Sequence, residues 1–245
     1  MISGLYTLAS GMVTQVARYE ILANNLANSD TPGFKADQIL VEPLTPGPDL
    51  TLPVFFPQTF PPSNVRVARH FTDYSQGYVR NTERPLDVAL TGPGFFVVDT
   101  PDGERYTRAG NFTVDREGSL VTPSGHRVLG QGGPLQLRQG QVAINGQGQI
   151  LENGQVVGTL RIVDFPRPYD LTKEAQQLFR PSDPAVVPQE IQGTVVGGHL
   201  ESSNVGIVES MVTLIDTLRT FETYQKMIQS MDETVKQAAN ELGRA

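Results

Sequence analysis

Apolar residues at alternating steps of four and three mark both ends of this 245-residue chain, and that spacing constrains the fold more than any other feature. At the N-terminus the series is Met1, Leu5, Leu8, Met12, Gln15, Tyr19, Leu22 and Leu26, with one polar interruption at Gln15. At the C-terminus it is Ile207, Met211, Leu214, Leu218, Phe221, Tyr224, Ile228, Met231, Val235, Ala238 and Leu242. Both series predict helices with a narrow heptad seam. The steps Leu218–Phe221–Tyr224, three then three, form a stammer that overwinds a supercoil. So narrow a seam covers too little surface for a globular core. Each helix therefore needs partner helices, which the other terminus and neighbouring copies can supply. From Val205 the pattern is helical to the end, with Asn204 as N-cap and Glu209 near the positive end of the dipole.

The middle of the chain follows other rules. The segment Val41–Asn64, "VEPLTPGPDLTLPVFFPQTFPPSN", holds seven of the 18 prolines. Proline removes a backbone donor and biases its predecessor away from helix, so this reads as an extended connector. Between Asn81 and Phe165 short apolar runs alternate with turn residues at Pro101-Asp102-Gly103, Arg116-Glu117-Gly118 and Pro123-Ser124-Gly125. Asn145-Gly146 and Asn153-Gly154 lie between apolar runs and predict β-hairpins, because both residues tolerate positive φ. Residues 166–189 read as irregular, with at most one or two helical turns. The expected fold is α+β, with two parts. One is a discontinuous α-helical coiled-coil domain made from the N- and C-terminal helices, and the other is a central all-β, antiparallel domain. The expected bounds are 1–33 for the first helix, 34–80 for the Pro-rich connector and 81–165 for the β domain. A return connector at 166–199 and the second helix at 200–245 complete the chain. The fragment Asn81–Phe165 is expected to fold alone.

Chemistry is harder to find. The absence of cysteine excludes disulfides, thiolate metal sites and cysteine nucleophiles. His70, His126 and His199 have no metal-ligand neighbour at helical or hairpin spacing. No nucleophile elbow or Walker-type phosphate loop is present. Asp99, Asp102 and Asp115 sit at turns, where Asp serves the backbone. The net charge of −7 argues against nucleic acid as a partner. No stretch is long and apolar enough to span a bilayer, and the first residues lack the basic and apolar regions of a cleaved secretory signal. We therefore expect no catalytic, cofactor or metal residues.

One dense polar stretch remains, "NNLANSDTPGFKA" from Asn24 to Ala36. Asn24, Asn25 and Asn28 are weak helix formers whose side chains bond backbone groups. Asp30 and Thr31 favour turns, Pro32-Gly33 is expected to stop the helix, and Phe34 to anchor the next segment. The stretch reads as a shaped joint that positions rather than reacts.

This joint, "ANNLANSDTPGFKA", strongly resembles the N-terminal signature of bacterial flagellar axial proteins, the rod and hook subunits. "RPLDVALTGPGFFVV" resembles the strand by which that family enters its β domain. The pattern Tyr106, Thr107, Arg108, Gly110, Phe112, Val114, Asp115, Gly118 and Leu120 is similar to a second family motif. Leu200, Glu201, Ser203, Asn204 and Val205 are similar to a third, at the C-terminal entry. One departure is Ala175 in "LTKEAQQLF", where the related pattern often has glycine.

The resemblance implies a non-enzymatic building block of the basal-body rod, the drive shaft that crosses the periplasm. Length and "RPLDVAL" point to a proximal rather than a distal rod subunit. The implied partners are other rod subunits, copies of the chain itself and the flagellar type III export apparatus, with export by an uncleaved signal and no membrane insertion. The expected assembly interface is Leu5, Leu8, Met12, Tyr19, Leu22, Leu26, Leu214, Leu218, Phe221, Ile228, Met231 and Val235. The expected joint is Asn24, Asn25, Asn28, Thr31, Pro32, Gly33, Phe34, Glu201, Ser203 and Asn204. Two other classes stay open on the residues alone: an enzyme carried on the β domain, and a soluble coiled-coil adaptor whose β domain binds a ligand.

Overall fold

A computed structural model describes residues 2–43, 65–138, 140–175 and 177–242. Most of the expected Pro-rich connector, residues 44–64, lies outside the described residues, as do the side chains of Leu5, Ala238 and Leu242. The fold is α+β. The chain divides into two compact units, one of Met1–Ala27, Asp37–Asp73 and Gly206–Ala245, the other of Asn28–Ala36 and Tyr74–Val205.

The first unit pairs α1 (Ile2–Ala27) with the 36-residue α2 (Ile207–Leu242). Ser210 N–H donates to the Gly206 carbonyl at 2.9 Å, so Gly206 opens α2. Asn204 does not cap it, because that side chain is committed elsewhere. Glu209 stands in the first turn, where the helix dipole favours a carboxylate.

The covered stripe of α2 differs from the expected seam. Ser210, Leu214, Thr217, Phe221, Tyr224, Ile228 and Met231 are buried or half-buried, at unbroken steps of four and three. The stammer disappears because Thr217, 4% exposed, takes the place assigned to Leu218, which is 42% exposed. Thr217 can be buried because its hydroxyl donates to the Thr213 carbonyl at 2.7 Å. Thr14 on α1, also buried, makes the same bond to Ser10 at 3.0 Å. Small residues also permit close approach: a Cβ on Gly11 would lie 3.0 Å from the Tyr224 ring.

An antiparallel ribbon completes this unit, Asp37–Pro43 against Val65–Thr72, with a register shift between Leu40 and Val41. Asn25 clasps its first residue twice. The Asn25 amide donates to the Asp37 carbonyl at 2.8 Å, and Asp37 N–H donates to Asn25 Oδ1 at 2.9 Å.

The second unit is antiparallel β. Its main sheet runs, in spatial order, through Leu171–Glu174, Leu178–Pro181, Gly103–Thr107, Phe95–Thr100, Arg127–Gly130, Leu120–Val121 and Thr113–Val114. A three-stranded sheet, Val142–Ile144, Gln149–Glu152 and Gln155–Thr159, and two strand pairs join it. Two apolar clusters form the core. One is aliphatic and centred on Val88, Leu90, Phe96 and Phe112. The other is aromatic, with Phe95, Tyr106, Phe165 and Phe179 in edge-to-face and tilted contacts.

The turns follow local chemistry. Gly103, Gly118 and Gly125 all take positive φ, and Asn153-Gly154 (φ 51° and 82°) makes the tight hairpin between paired Glu152 and Gln155. Asn145-Gly146 does not make a two-residue turn. The loop is four residues long, Gly148 carries the positive φ, and Asn145 Oδ1 accepts the N–H groups of Gln147 and Gln149.

The segment read as irregular contains strands, Leu171–Glu174, Leu178–Pro181, Gln189–Glu190 and Thr194–Gly197. Their partners are distant in sequence: Phe179 pairs Tyr106, and Thr194–Gly197 pairs Val88–Thr91. A fragment limited to Asn81–Phe165 lacks these partners. Ala175, at φ 52°, occupies a left-handed position after Glu174. Ala175→Gly is expected to stabilise the β unit by roughly 0.5–1 kcal/mol, since the relief of Cβ strain exceeds the added chain entropy. The check is a rise of about 2 °C in melting temperature; a fall would show that the turn tolerates Ala.

Candidate functional site

Three stretches far apart in sequence, around Lys35, Arg108 and Glu201, meet inside the β unit. All three side chains are buried: Lys35 1%, Arg108 4% and Glu201 0% exposed. Lys35 Nζ lies 2.6 Å from Glu201 Oε1, and Arg108 Nε lies 3.1 Å from Glu201 Oε2. Gly77 N–H also donates to Glu201 Oε1, at 3.0 Å. Lys35 donates to the Ser75 carbonyl at 2.6 Å, and Arg108 to the carbonyls of Gly94 at 2.7 Å and Gly92 at 2.9 Å. A carboxylate this deep survives because two cations and a backbone N–H answer it.

Backbone bonds tie the same place together. Gly33 N–H donates to the Glu201 carbonyl at 2.8 Å. Ala36 N–H donates to Asn204 Oδ1 at 2.8 Å, and the Asn204 amide donates to Ser75 Oγ at 3.1 Å. The β unit is thus entered or left near Ala36, Tyr74 and Val205, and the residues at these crossings are hydrogen-bonded to one another. Phe34, fully buried, has Lys173 Nζ 3.7 Å from its ring centroid, and Lys173 also donates to the Lys35 carbonyl at 2.7 Å.

The expected joint residues fall into distinct places. Asn28, Thr31, Pro32, Gly33, Phe34, Glu201, Ser203 and Asn204 belong to the β unit, whereas Asn24 and Asn25 belong to α1. Thr31 donates from N–H to the Asn28 carbonyl at 3.1 Å and from its hydroxyl to Asn28 Oδ1 at 3.3 Å. Ser203 Oγ accepts Val205 N–H at 3.2 Å, and Asn24 is exposed. Helix α1 ends at Ala27, before Pro32-Gly33, so that pair does not stop it. Gly33 has a different task. At φ 68° it passes so close to the backbone of Arg108 and Ala109 that a Cβ would lie 2.3 Å from Ala109 N.

Of the expected interface residues, Leu8, Met12, Leu22, Leu26, Leu214, Phe221, Ile228 and Met231 are half-buried. Tyr19, Leu218 and Val235 are exposed at 40%, 42% and 44%. Sequence reasoning missed Lys35, Ser75, Gly77 and Lys173, and met Arg108 only as part of a motif. A lysine and an arginine beside glycine in two such motifs were the available signal. Among the described residues no cluster of His, Cys, Asp or Glu could hold a metal ion, and no helix is long and apolar enough to cross a membrane.

Comparison with known proteins covers the same three stretches. Residues 5–35 match the family described as flagella basal body rod protein. Residues 89–197 match the flagellar hook protein FlgE/F/G D1 domain, and residues 196–242 match the flagellar basal body rod FlgEFG protein C-terminal. The flagellar basal-body rod protein FlgF of Caulobacter vibrioides is 34% identical, across 100% of this chain and 99% of that protein. FlgF of Salmonella typhimurium is 35% identical across 94% of each. The rod protein FlgG of Buchnera aphidicola subsp. Schizaphis graminum is 30% identical across 96% of this chain and 98% of that protein. With full-length identity at this level and family matches over both ends and the middle, the chain belongs to the flagellar basal-body rod proteins.

Proposed function

We propose that this chain is a structural subunit of the proximal rod, similar to FlgF, and that it polymerises through its terminal helices. The observation that carries this reading is the second apolar face of the helix pair. Val208, Met211, Val212 and Ile215 on α2 are exposed at 77%, 47%, 55% and 50%, and Val13 on α1 at 67%. Apolar side chains gathered on a face that the chain's own partner helix does not cover are the mark of an interaction surface. Neighbouring copies and other rod subunits would cover them by coiled-coil packing, in contacts that repeat along a shaft without closing. The buried triad then serves as the rigid seat from which both helical segments depart. Identities of 34% and 35% to two FlgF proteins, against 30% to one FlgG, support the proximal position. The family resemblance carries the route through the type III export apparatus.

Val208→Asp and Val212→Asp test the assembly reading. Both side chains face solvent in the single chain, so the melting temperature should stay within about 2 °C of the parent. Swarming in soft agar should fall to the level of a strain lacking the gene. Undiminished swarming by the double variant would overturn it. A density map of isolated basal bodies that follows this chain at the proximal level tests the position; the chain traced at the distal level would make it FlgG-like.

A further inference from the structure

We propose that a cavity in the β unit, beside the buried triad, binds a carboxylate presented by another polypeptide. The cavity measures about 430 Å³, within the range of roughly 300–1,000 Å³ typical of ligand sites. Its twelve lining residues include three cations, Lys35, Arg108 and Arg167, and no acidic side chain. Glu201, fully buried, is not among them, and its two oxygens each meet one of the two buried cations. Two buried positive charges therefore share one negative charge. A buried charge persists when it is paired, and an incoming anion at this wall completes the pairing.

The wall also has donors to offer. A guanidinium carries five N–H groups in a planar fork. The interactions of Arg108 described above use three, one to Glu201 and one to each of two glycine carbonyls. Arg167 is exposed and stands 5.4 Å from the centroid of the Tyr169 ring. Asp164 accepts the Tyr169 hydroxyl at 2.8 Å but lies outside the cavity lining.

The chemistry favours a carboxylate on a chain over free phosphate. Phosphate sites gather backbone N–H groups at helix starts and nests. Here the Gly92–Gly94 loop turns two carbonyl oxygens toward Arg108, which opposes a dianion. Tyr74, Phe95 and Tyr169 supply apolar walls suited to an aliphatic stem, while the fork of Arg108 matches a two-oxygen acceptor. The site stands on its own residues, whichever level of the rod the chain occupies.

The test uses the full-length protein, labelled with nitrogen-15, and an acetylated, amidated tripeptide with central glutamate. Saturable shifts of the Gly92, Gly94 and Tyr169 amides at low millimolar peptide are expected, at least tenfold weaker with the glutamine counterpart. Added salt should weaken them, and Arg167→Gln, at an exposed position, should weaken binding about fivefold. Equal response to the glutamate and glutamine peptides, or no saturable shift, overturns the proposal. Saturation by inorganic phosphate with the peptide silent also overturns it, since the occupant would then be a small free anion.

Discussion

Glu201→Ala is expected to lower the stability of the β unit by about 3–5 kcal/mol, the cost of leaving buried charges without their partner. Lys35 and Arg108 are each at most 4% exposed, and the substitution removes the carboxylate that faces both. Gly77 N–H loses its acceptor as well. Against a typical total of about 5–15 kcal/mol, this removes much of the margin. In urea the midpoint should fall by roughly 1.5–2.5 M, for an ordinary slope near 2 kcal/mol per molar. The chain has no tryptophan, so near-ultraviolet circular dichroism of the tyrosine and phenylalanine cluster is the readout.

A second variant separates charge from hydrogen bonding. Replacing the whole triad by apolar residues (Lys35→Met, Arg108→Leu, Glu201→Met) removes every uncompensated charge, a change that is neutral or stabilising at some buried ion pairs. Here it should not rescue. The carbonyls of Ser75, Gly92 and Gly94 and the N–H of Gly77 would all lose partners. Each orphaned buried group costs about 1–3 kcal/mol. Parental stability in the triple variant would show that the triad does not hold those backbone groups.

Gly33→Ala should be almost as damaging, by roughly 3 kcal/mol or more. Two costs add. A left-handed conformation costs an L side chain about 1–2 kcal/mol, and forcing a methyl into a packed site costs about 1–3 kcal/mol. The second cost lies at its upper end, because the nearest atoms are backbone: the new Cβ would fall 2.4 Å from the Arg108 carbonyl carbon. Neither strand can yield without straining the bond from Gly33 N–H to Glu201. Pro32→Ala is the control, expected to cost under about 1 kcal/mol. Comparable urea midpoints for the two variants would refute the close-approach account. Loss of motility only with Gly33→Ala would tie this approach to assembly.

The sequence by itself determined what depends on neighbours along the chain. Both helices were legible from apolar spacing, and the α1 boundary near Asn28 from its asparagines. The Asn153-Gly154 hairpin and the turns at Gly103, Gly118 and Gly125 were legible because positive φ is a local demand that few residues meet. The tertiary structure decided what depends on partners far away. The strands Leu178–Pro181 and Thr194–Gly197 carry weak patterns of their own and exist because Tyr106 and Val88–Thr91 pair with them. Thr217 displaced Leu218 from the covered stripe, since a hydroxyl satisfied within its own helix can be buried where a close approach needs a smaller side chain. Asn204 fitted a helix cap by position, but the nearby Ala36 N–H claimed its oxygen. Lys35 and Arg108 show the limit most clearly. Spacing along the chain assigns a cation to the surface, and only a carboxylate 166 residues further on gave Lys35 an interior partner that offsets its desolvation.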